Sequence, residues 1–397
     1  MIAPAPQNDP IGIYIHIPYC ARICPYCDFN VYARKQSQFG DYVDALLAEI
    51  DLVAEQQGHR SVATVFIGGG TPSILPANDH QRIMDRLNSR FLIHDDAEIT
   101  MEANPEGLEA EYLRTIRSTG INRLSIGVQT QRKHGLKVLG RAHKPETPVS
   151  GIAAARDAGF DNLSLDFIFG WPEQTLEDWE QDLEFILQTN PEHASMYSLI
   201  IEPNTPYQTA VNRGILVPVD DDAVSEMYQR TVERMAAAGW DHYEISNWSR
   251  TPELRSRHNM IYWRNAEYIA LGAGAHGHLD GQRYHNVLLP ETYIETVMSG
   301  RLPIVESETI DEATAIAETM MLGLRLIRDG VSDAAFLDRH GRSIRSVYGA
   351  TIDYLESIGM VEWSGDALRL TNAGLLIANE VAERFLDPEI EPERAHF

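Results

Sequence analysis

The sequence is poor in cysteine, in positive charge and in long apolar runs. Three cysteines stand in 397 residues, too few and odd in number for a disulfide framework. Lysine and arginine total 33 against 58 acidic residues, a formal net charge of -25. A surface this acidic repels phosphate backbones and anionic lipid, so nucleic acid is not an expected partner. No apolar run reaches the roughly 18 residues that a membrane span needs, so an integral membrane protein is not expected. The opening MIAPAPQNDP has neither the basic nor the apolar region of a secretory signal. Residues 1–10 read as a mobile lead, and the chain as cytoplasmic.

The few cysteines are concentrated. Cys20, Cys24 and Cys27 fall within IHIPYCARICPYCDFN. Their spacing would suit one helix face, but Pro18 and Pro25 argue for a loop. A loop with three thiols can wrap a compact metal centre. A structural zinc takes four protein ligands, so the fourth would have to be His16 or a distant residue. An iron–sulfur cube on three thiolates leaves one iron open to a small chelating molecule.

Around this loop, β-rich runs alternate with helical periodicity. Strands are expected at 11–17, 62–67, 97–101, 122–127, 162–168 and 194–201. Between them, apolar residues recur at helical spacing over 39–56, 78–90, 108–118, 147–158 and 176–188, with Asn78 or Asp79 capping the second of these. Repeated strand–helix units predict an α/β fold, a partial (β/α)6 TIM-like barrel over 11–210. In such barrels the carboxyl ends of the strands build the site. Those ends carry the cysteine loop, Gly68-Gly69-Gly70-Thr71-Pro72, Glu102 with Asn104, Gln129 and Asp166. The glycine triplet reads either as a tight turn or as a backbone cradle for a ligand.

CxxxCxxC with Tyr26 before the last cysteine is the signature of radical S-adenosylmethionine (SAM) proteins. YIHIPYC, GGGTPS, EANPE, LSIGVQ, LGRAH, LDFIFGWPEQT and YEISN, in that order, resemble the coproporphyrinogen III oxidase group of that superfamily. The resemblance implies that Cys20, Cys24 and Cys27 hold a [4Fe-4S] cluster whose open iron chelates SAM. It implies that Tyr14 and Tyr26 bound the cofactor pocket, that Gly69, Gly70 and Thr71 contact the methionine part, and that Glu102 binds in the same pocket. Gln129, Arg141 and Asp166 match positions touching a second cofactor molecule or the substrate side. By residue type alone, Arg141 and Asp166 also suit a buried ion pair or surface charges.

Two departures divide the group. The oxidase pattern continues to a fourth cysteine, where this chain has Phe29, and carries an N-terminal extension for which a strand starting near residue 11 leaves no room. Both point away from an enzyme that decarboxylates coproporphyrinogen III. His258-Asn259-Met260-Ile261-Tyr262-Trp263 matches the HNxxYW motif of the group's haem-chaperone branch, HemW. That resemblance implies haem binding by His258, Asn259, Tyr262 and Trp263, and transfer to acceptor haemoproteins such as respiratory enzymes. On a helix His258 and Tyr262 share a face, which equally suits a packed cluster. His276, His278 and His285 are rival ligands. A homodimer ordered by cofactor binding is left open, as is a radical SAM enzyme acting on a porphyrinogen. A zinc-stabilised barrel would leave the strand-end motifs without a purpose.

Residues 211–300 read as a barrel extension, with a helix over 223–238 and a short strand at 243–246. The glycine-rich stretch 271–275 reads as close packing or as a ligand-facing turn. Residues 301–397 read as a winged-helix-like domain: helices at 312–326, 334–340 and 344–358, a hairpin turning at 364–366, and a helix over 372–385.

Overall fold

The computed structural model describes residues 10–57 and 60–388; the lead expected over 1–10 lies, Pro10 apart, outside them. Twelve strands form one sheet. They are β1 (Ile11–Ile17), β2 (Ser61–Gly69), β3 (Leu92–Ala103), β4 (Arg123–Gln129), β5 (Leu163–Phe169), β6 (His193–Ser198), β7 (Asp241–Glu244), β8 (Asn247–Ser249), β9 (Tyr268–Leu271), β10 (His276–Leu279), β11 (Gln282–Asn286) and β12 (Ile304–Thr309). β1 to β6 pair parallel in sequence order, as the strand–helix repeat predicts. The order across the sheet is β12-β11-β10-β9-β1-β2-β3-β4-β5-β6-β8-β7. β9 adds a further parallel strand beside β1, which the sequence pattern did not reveal. The outer strands on both sides run antiparallel.

Strand alternation separates two environments. Ile13, Ile15, Val65, Ile67, Met101, Leu124, Ile126, Leu165 and Phe167 are buried in the main apolar cluster, together with Tyr42, Leu46 and Ile50 of the helix Phe39–Gln57. The alternate residues are Tyr14, Thr64, Thr100, Glu102, Arg123, Ser125, Ser164, Asp166, His193 and Ser195. Their register runs Tyr14↔Phe66, Phe66↔Thr100, Thr100↔Arg123, and then Glu102↔Ser125, Ser125↔Ser164, Ser164↔His193. The barrel interior is therefore a polar lining, and the dry core lies between strands and helices.

Several boundaries differ from the sequence reading. β6 stops at Ser198 rather than continuing to 201, and Ile200 is exposed. The helix Ala77–Arg90 is capped by neither Asn78 nor Asp79: its N-cap is Pro76, and Asp79 pairs with Arg82 inside the first turn. Stretch 271–275 is a packed turn, with the Gly272 amide on Glu49 (2.8 Å) and the Asn30 side chain on the Ala273 carbonyl (3.1 Å).

A second apolar cluster, including Ile316, Met320, Phe336, Val347, Ile352, Leu368 and Phe385, organises the C-terminal part. Helices Glu312–Gly323, Asp333–His340 and Ile344–Ser357 accompany the hairpin Val361–Ser364 and Ala367–Leu370. Val331–Ser332 adds an unforeseen third strand. The single helix expected over 372–385 is two, Asn372–Leu376 and Ala378–Glu383, broken at Ile377 (φ -125°). On one straight helix Leu375 and Val381 would point about 120° apart. The break lets both join the same core. Among the described residues, no helix is long and apolar enough to cross a membrane.

Candidate functional site

The cysteines do lie on a loop. Its neck is closed by parallel pairing of Tyr19–Cys20 with Tyr32–Ala33 and by the Tyr32 amide on the Pro18 carbonyl (2.7 Å). Cys20, Cys24 and Cys27 are all half-buried and free. Burial pushes the Cys27 thiol up to about 11 and raises Cys20 as well, so a cationic centre is needed to hold these groups as thiolates near neutral pH. Among the described residues, no three His, Cys, Asp or Glu side chains converge closely enough for a single metal ion. Three thiols on one loop are the donor set of a cluster with one open iron, whereas a structural zinc takes four protein ligands. His16 is no fourth ligand: its ring nitrogens meet Tyr14 Oη (2.9 Å) and the Asn30 carbonyl (2.9 Å).

A chain of hydrogen bonds ties the loop to three strand ends. Thr71 Oγ1 donates to Cys20 Sγ (3.4 Å) and accepts from Asn104 Nδ2 (3.3 Å). Arg141 Nη2 donates to Asn104 Oδ1 (2.6 Å) and to the Gly127 carbonyl (2.9 Å), while Arg141 Nη1 lies 3.8 Å from Cys24 Sγ. Asn104 is thus the hub between two cysteines. It was visible in the sequence only as a polar residue at a strand end.

The glycine triplet is more than a turn. Gly69 has φ +109°, and a side chain there would strike His16 at 2.6 Å; one on Gly70 would come within 3.0 Å of Cys20 Sγ. The Gly69 amide donates to Glu102 Oε2 (3.0 Å). Burial, and then the nearby Asp166, push the Glu102 carboxyl up to about 8, against the pull of the Gly69 amide and Arg123. Asp166 is likewise raised by burial, while the Ser125 hydroxyl donates to it at 2.9 Å. Gln129 sits at a register shift in β4, with φ +68°, and its side chain lies over Gly127 beside Arg141. Tyr26 packs edge-on against Tyr207, 6.2 Å between ring centres. Arg123 is missing from the sequence-derived set. It is buried in the lining, and its Nε has no hydrogen-bond partner among the described residues. Period-two alternation with Ser125 was the available signal.

The HNxxYW residues lie on the helix Arg257–Trp263. His258 is fully buried, with Nδ1 on Thr64 Oγ1 (2.7 Å) and Nε2 on Tyr262 Oη (2.8 Å), and it stacks on Phe66. Burial, helped by Arg123, lowers its pKa to about 3, so the ring is neutral. Its backbone amide donates to Glu98 Oε1 (3.1 Å). The Asn259 amide closes on the Ser256 cap (3.4 Å), and Trp263 lies under the Arg325 guanidinium (4.4 Å). His258 and Tyr262 share a face and pack together, as helical spacing predicts.

Residues 14–186 match the profile of the radical SAM superfamily, and residues 310–377 that of the HemN C-terminal domain. The chain is 38% identical to the haem chaperone HemW of Bacillus subtilis (strain 168), covering 94% of this chain and 98% of that one. It is 35% identical to HemW of Mycobacterium tuberculosis (strain H37Rv), covering 97% of each. The chain belongs to the haem chaperone HemW family. HemW of Escherichia coli (strain K12) is 36% identical, over 95% of this chain and 98% of its own. The HemW fold is shared with E. coli coproporphyrinogen III oxidase (HemN), a radical SAM enzyme: TM-score 0.83, 22% identity, 96% of this chain and 90% of that one.

Proposed function

We propose that the chain is a cytoplasmic haem chaperone that binds haem and passes it to acceptor haemoproteins, respiratory enzymes among them. One observation carries the reading: near-full-length relatives bear the name haem chaperone HemW, and exposed Phe29 stands where the oxidase pattern has its fourth cysteine. Cys20, Cys24 and Cys27 would hold a [4Fe-4S] cluster with SAM on its open iron. Such a cluster, when bound, supplies one electron and a chelating site.

The chain's own residues fit that load. The Thr71–Asn104–Arg141 chain fixes the loop around two of the thiols. The Gly69 and Gly70 backbone leaves room for close approach. Glu102 holds its proton near neutral pH, and a cationic amino group arriving beside it would draw it to the carboxylate. Arg141 supplies a fixed positive charge beside Cys24. Tyr14, Tyr26, Gln129 and Asp166 would complete the pocket.

A second reading, a radical SAM enzyme acting on a porphyrinogen, draws on the polar barrel interior, where Arg123 Nε and Thr100 Oγ1 have no partner among the described residues. One pair of assays separates the two. Anaerobically reconstituted protein is titrated with haem, and the same protein is incubated with reductant, SAM and coproporphyrinogen III. The chaperone reading expects saturable haem binding and an unchanged porphyrinogen. Decarboxylation of the porphyrinogen would overturn it.

A further inference from the structure

The HNxxYW helix is too short to hold itself. It has seven residues, and isolated helices below about 12–15 residues are marginal in water. Its N-terminus is closed from the barrel. Buried Glu98 of β3 accepts the backbone amides of Arg257 and His258, each at 3.1 Å, which sets a carboxylate at the positive end of the helix. Its C-terminus is closed from the C-terminal module. Arg339, on the helix Asp333–His340, donates from Nη1 to the Arg264 carbonyl (3.1 Å) and from Nη2 to the Asn265 carbonyl (2.6 Å). A guanidinium thus sits at the negative end.

Further contacts tie the same module to the same helix. The Arg325 guanidinium covers Trp263 at 4.4 Å, and its Nη2 lies 3.8 Å from the fully buried carboxylate of Glu244 in β7. Arg325 is fixed by its neighbours in sequence: the Ile327 amide donates to the Tyr243 carbonyl (3.0 Å), and Leu326 shares an apolar cluster with Tyr243 and Met260, against which Trp263 packs. Asp329 pairs with Arg255 (3.0 Å) and Arg264 (3.7 Å), one before the helix and one after it. Arg325, Asp329 and Arg339 all lie in the stretch that matches the HemN C-terminal domain. Haem binding as such assigns this module no role; these contacts do.

For the His258 ring to meet an iron, Thr64 or Tyr262 must release it. Thr64 is buried on β2, whereas Tyr262 lines an adjoining cleft of about 260 Å³. With both ends of the helix anchored, release asks only for a rotation of the Tyr262 side chain into that cleft. With the C-terminal end loose, the turn carrying Tyr262 and Trp263 frays, and the imidazole meets the iron in several geometries. We propose that Arg339 and Arg325 are positioning residues for haem: through them the C-terminal module fixes the HNxxYW helix for ligation. The proposal rests on the haem-chaperone reading, with haem met at this helix.

The test is a haem titration of the full-length protein and its variants, read by the Soret band and by the electron paramagnetic resonance of the ferric iron, with a thermal melt of each haem-free sample. Arg339→Ala is expected to weaken haem binding roughly tenfold and to split the resonance into more than one species. Arg339→Lys keeps the charge but cannot span both carbonyls, and should fall between it and wild type. Arg325→Lys loses the flat face over Trp263 and should weaken binding as well. Arg345→Ala is the control: this arginine of the same module pairs with Asp353 (2.6 Å) and Glu356 (2.8 Å), so its removal should leave affinity and signature unchanged. His258→Ala should lose the wild-type signature. Arg339 and Arg325 variants with wild-type affinity and signature would overturn the proposal; a lowered melt with an unchanged signature would show a structural role only and overturn it too. Should Arg339→Ala fail to fold, the two lysine variants decide by the same criterion. A wild-type signature in His258→Ala would place haem away from the helix and overturn the proposal alone. No saturable binding by wild type would overturn the haem-chaperone reading itself.

Discussion

The cysteine loop and the HNxxYW helix are built in opposite ways. The loop holds three half-buried thiols, free of covalent partners, on a scaffold of hydrogen bonds that ends at their sulfurs. The helix turns its histidine fully inward and satisfies both ring nitrogens. One region holds thiols through single weak hydrogen bonds; the other engages both nitrogens of its histidine in short ones. The difference teaches that the two motifs need different rearrangements before a ligand is met: the thiols almost none, the histidine the release of Thr64 or Tyr262. What counts is how strongly the side chain's polar atoms are already partnered once the chain has folded.

The largest expected effect is on the loop. Cys24→Ser should reduce iron in anaerobically reconstituted protein from about four per chain to a small remainder; iron and sulfide assays read this, and an undiminished content would break the comparison on the loop side. On the helix side, His258→Ala leaves a cavity and strips Thr64 and Tyr262 of a partner. It should cost roughly 2–4 kcal/mol of stability, seen as a lower denaturation midpoint, while iron content holds. A stability equal to wild type would mean that His258 does not hold Thr64, Phe66 and Tyr262 together.

A third effect concerns the support under the loop. Glu49 is pushed up to about 7 by burial and accepts hydrogen bonds from the Gly272 amide, Asn286 and Tyr293. An unfolded glutamate titrates near 4.5. Between those values only the folded state keeps the proton, so stability falls as pH rises through this window and levels off above about 7. The expected size is on the order of 1–3 kcal/mol. Glu49→Gln cannot ionise, so thermal melts between pH 5 and 8 should show a shallower slope than wild type, the remainder coming from Glu102 and the likewise buried Asp182; an unchanged slope would contradict the assignment. The smallest effect is at the hub. Asn104→Ala should weaken SAM binding by roughly tenfold, about 1.4 kcal/mol, with iron content unchanged. Calorimetric titration of the cluster-loaded protein checks it.

Much of this was legible because it is local. The alternation of Ile11, Ile13, Ile15 and Ile17 marks β1, and its bounds agree with the structure. Proline placement identifies the cysteine loop. Other features depend on distant pairing. Arg123 alone reads as a surface charge, and only its register against Thr100 places it inside the barrel. His258 is sealed by Thr64, which lies 194 positions away in sequence. β9 is too short to announce that it pairs with β1. The break at Ile377 answers to a core assembled from the preceding helices and strands. Local patterns therefore reveal which strand ends carry chemistry, while long-range register decides which side chains remain free to perform it.

The most direct measurement of the central claim is transfer. Protein loaded with one equivalent of haem is mixed with an apo-haemoprotein of the respiratory type, and the two are separated and scanned across the Soret region. The account predicts that haem leaves this chain and appears in the acceptor faster than free haem is taken up at the same concentration. Haem that stays with the chain, or an acceptor that fills no faster than from free haem, would contradict it.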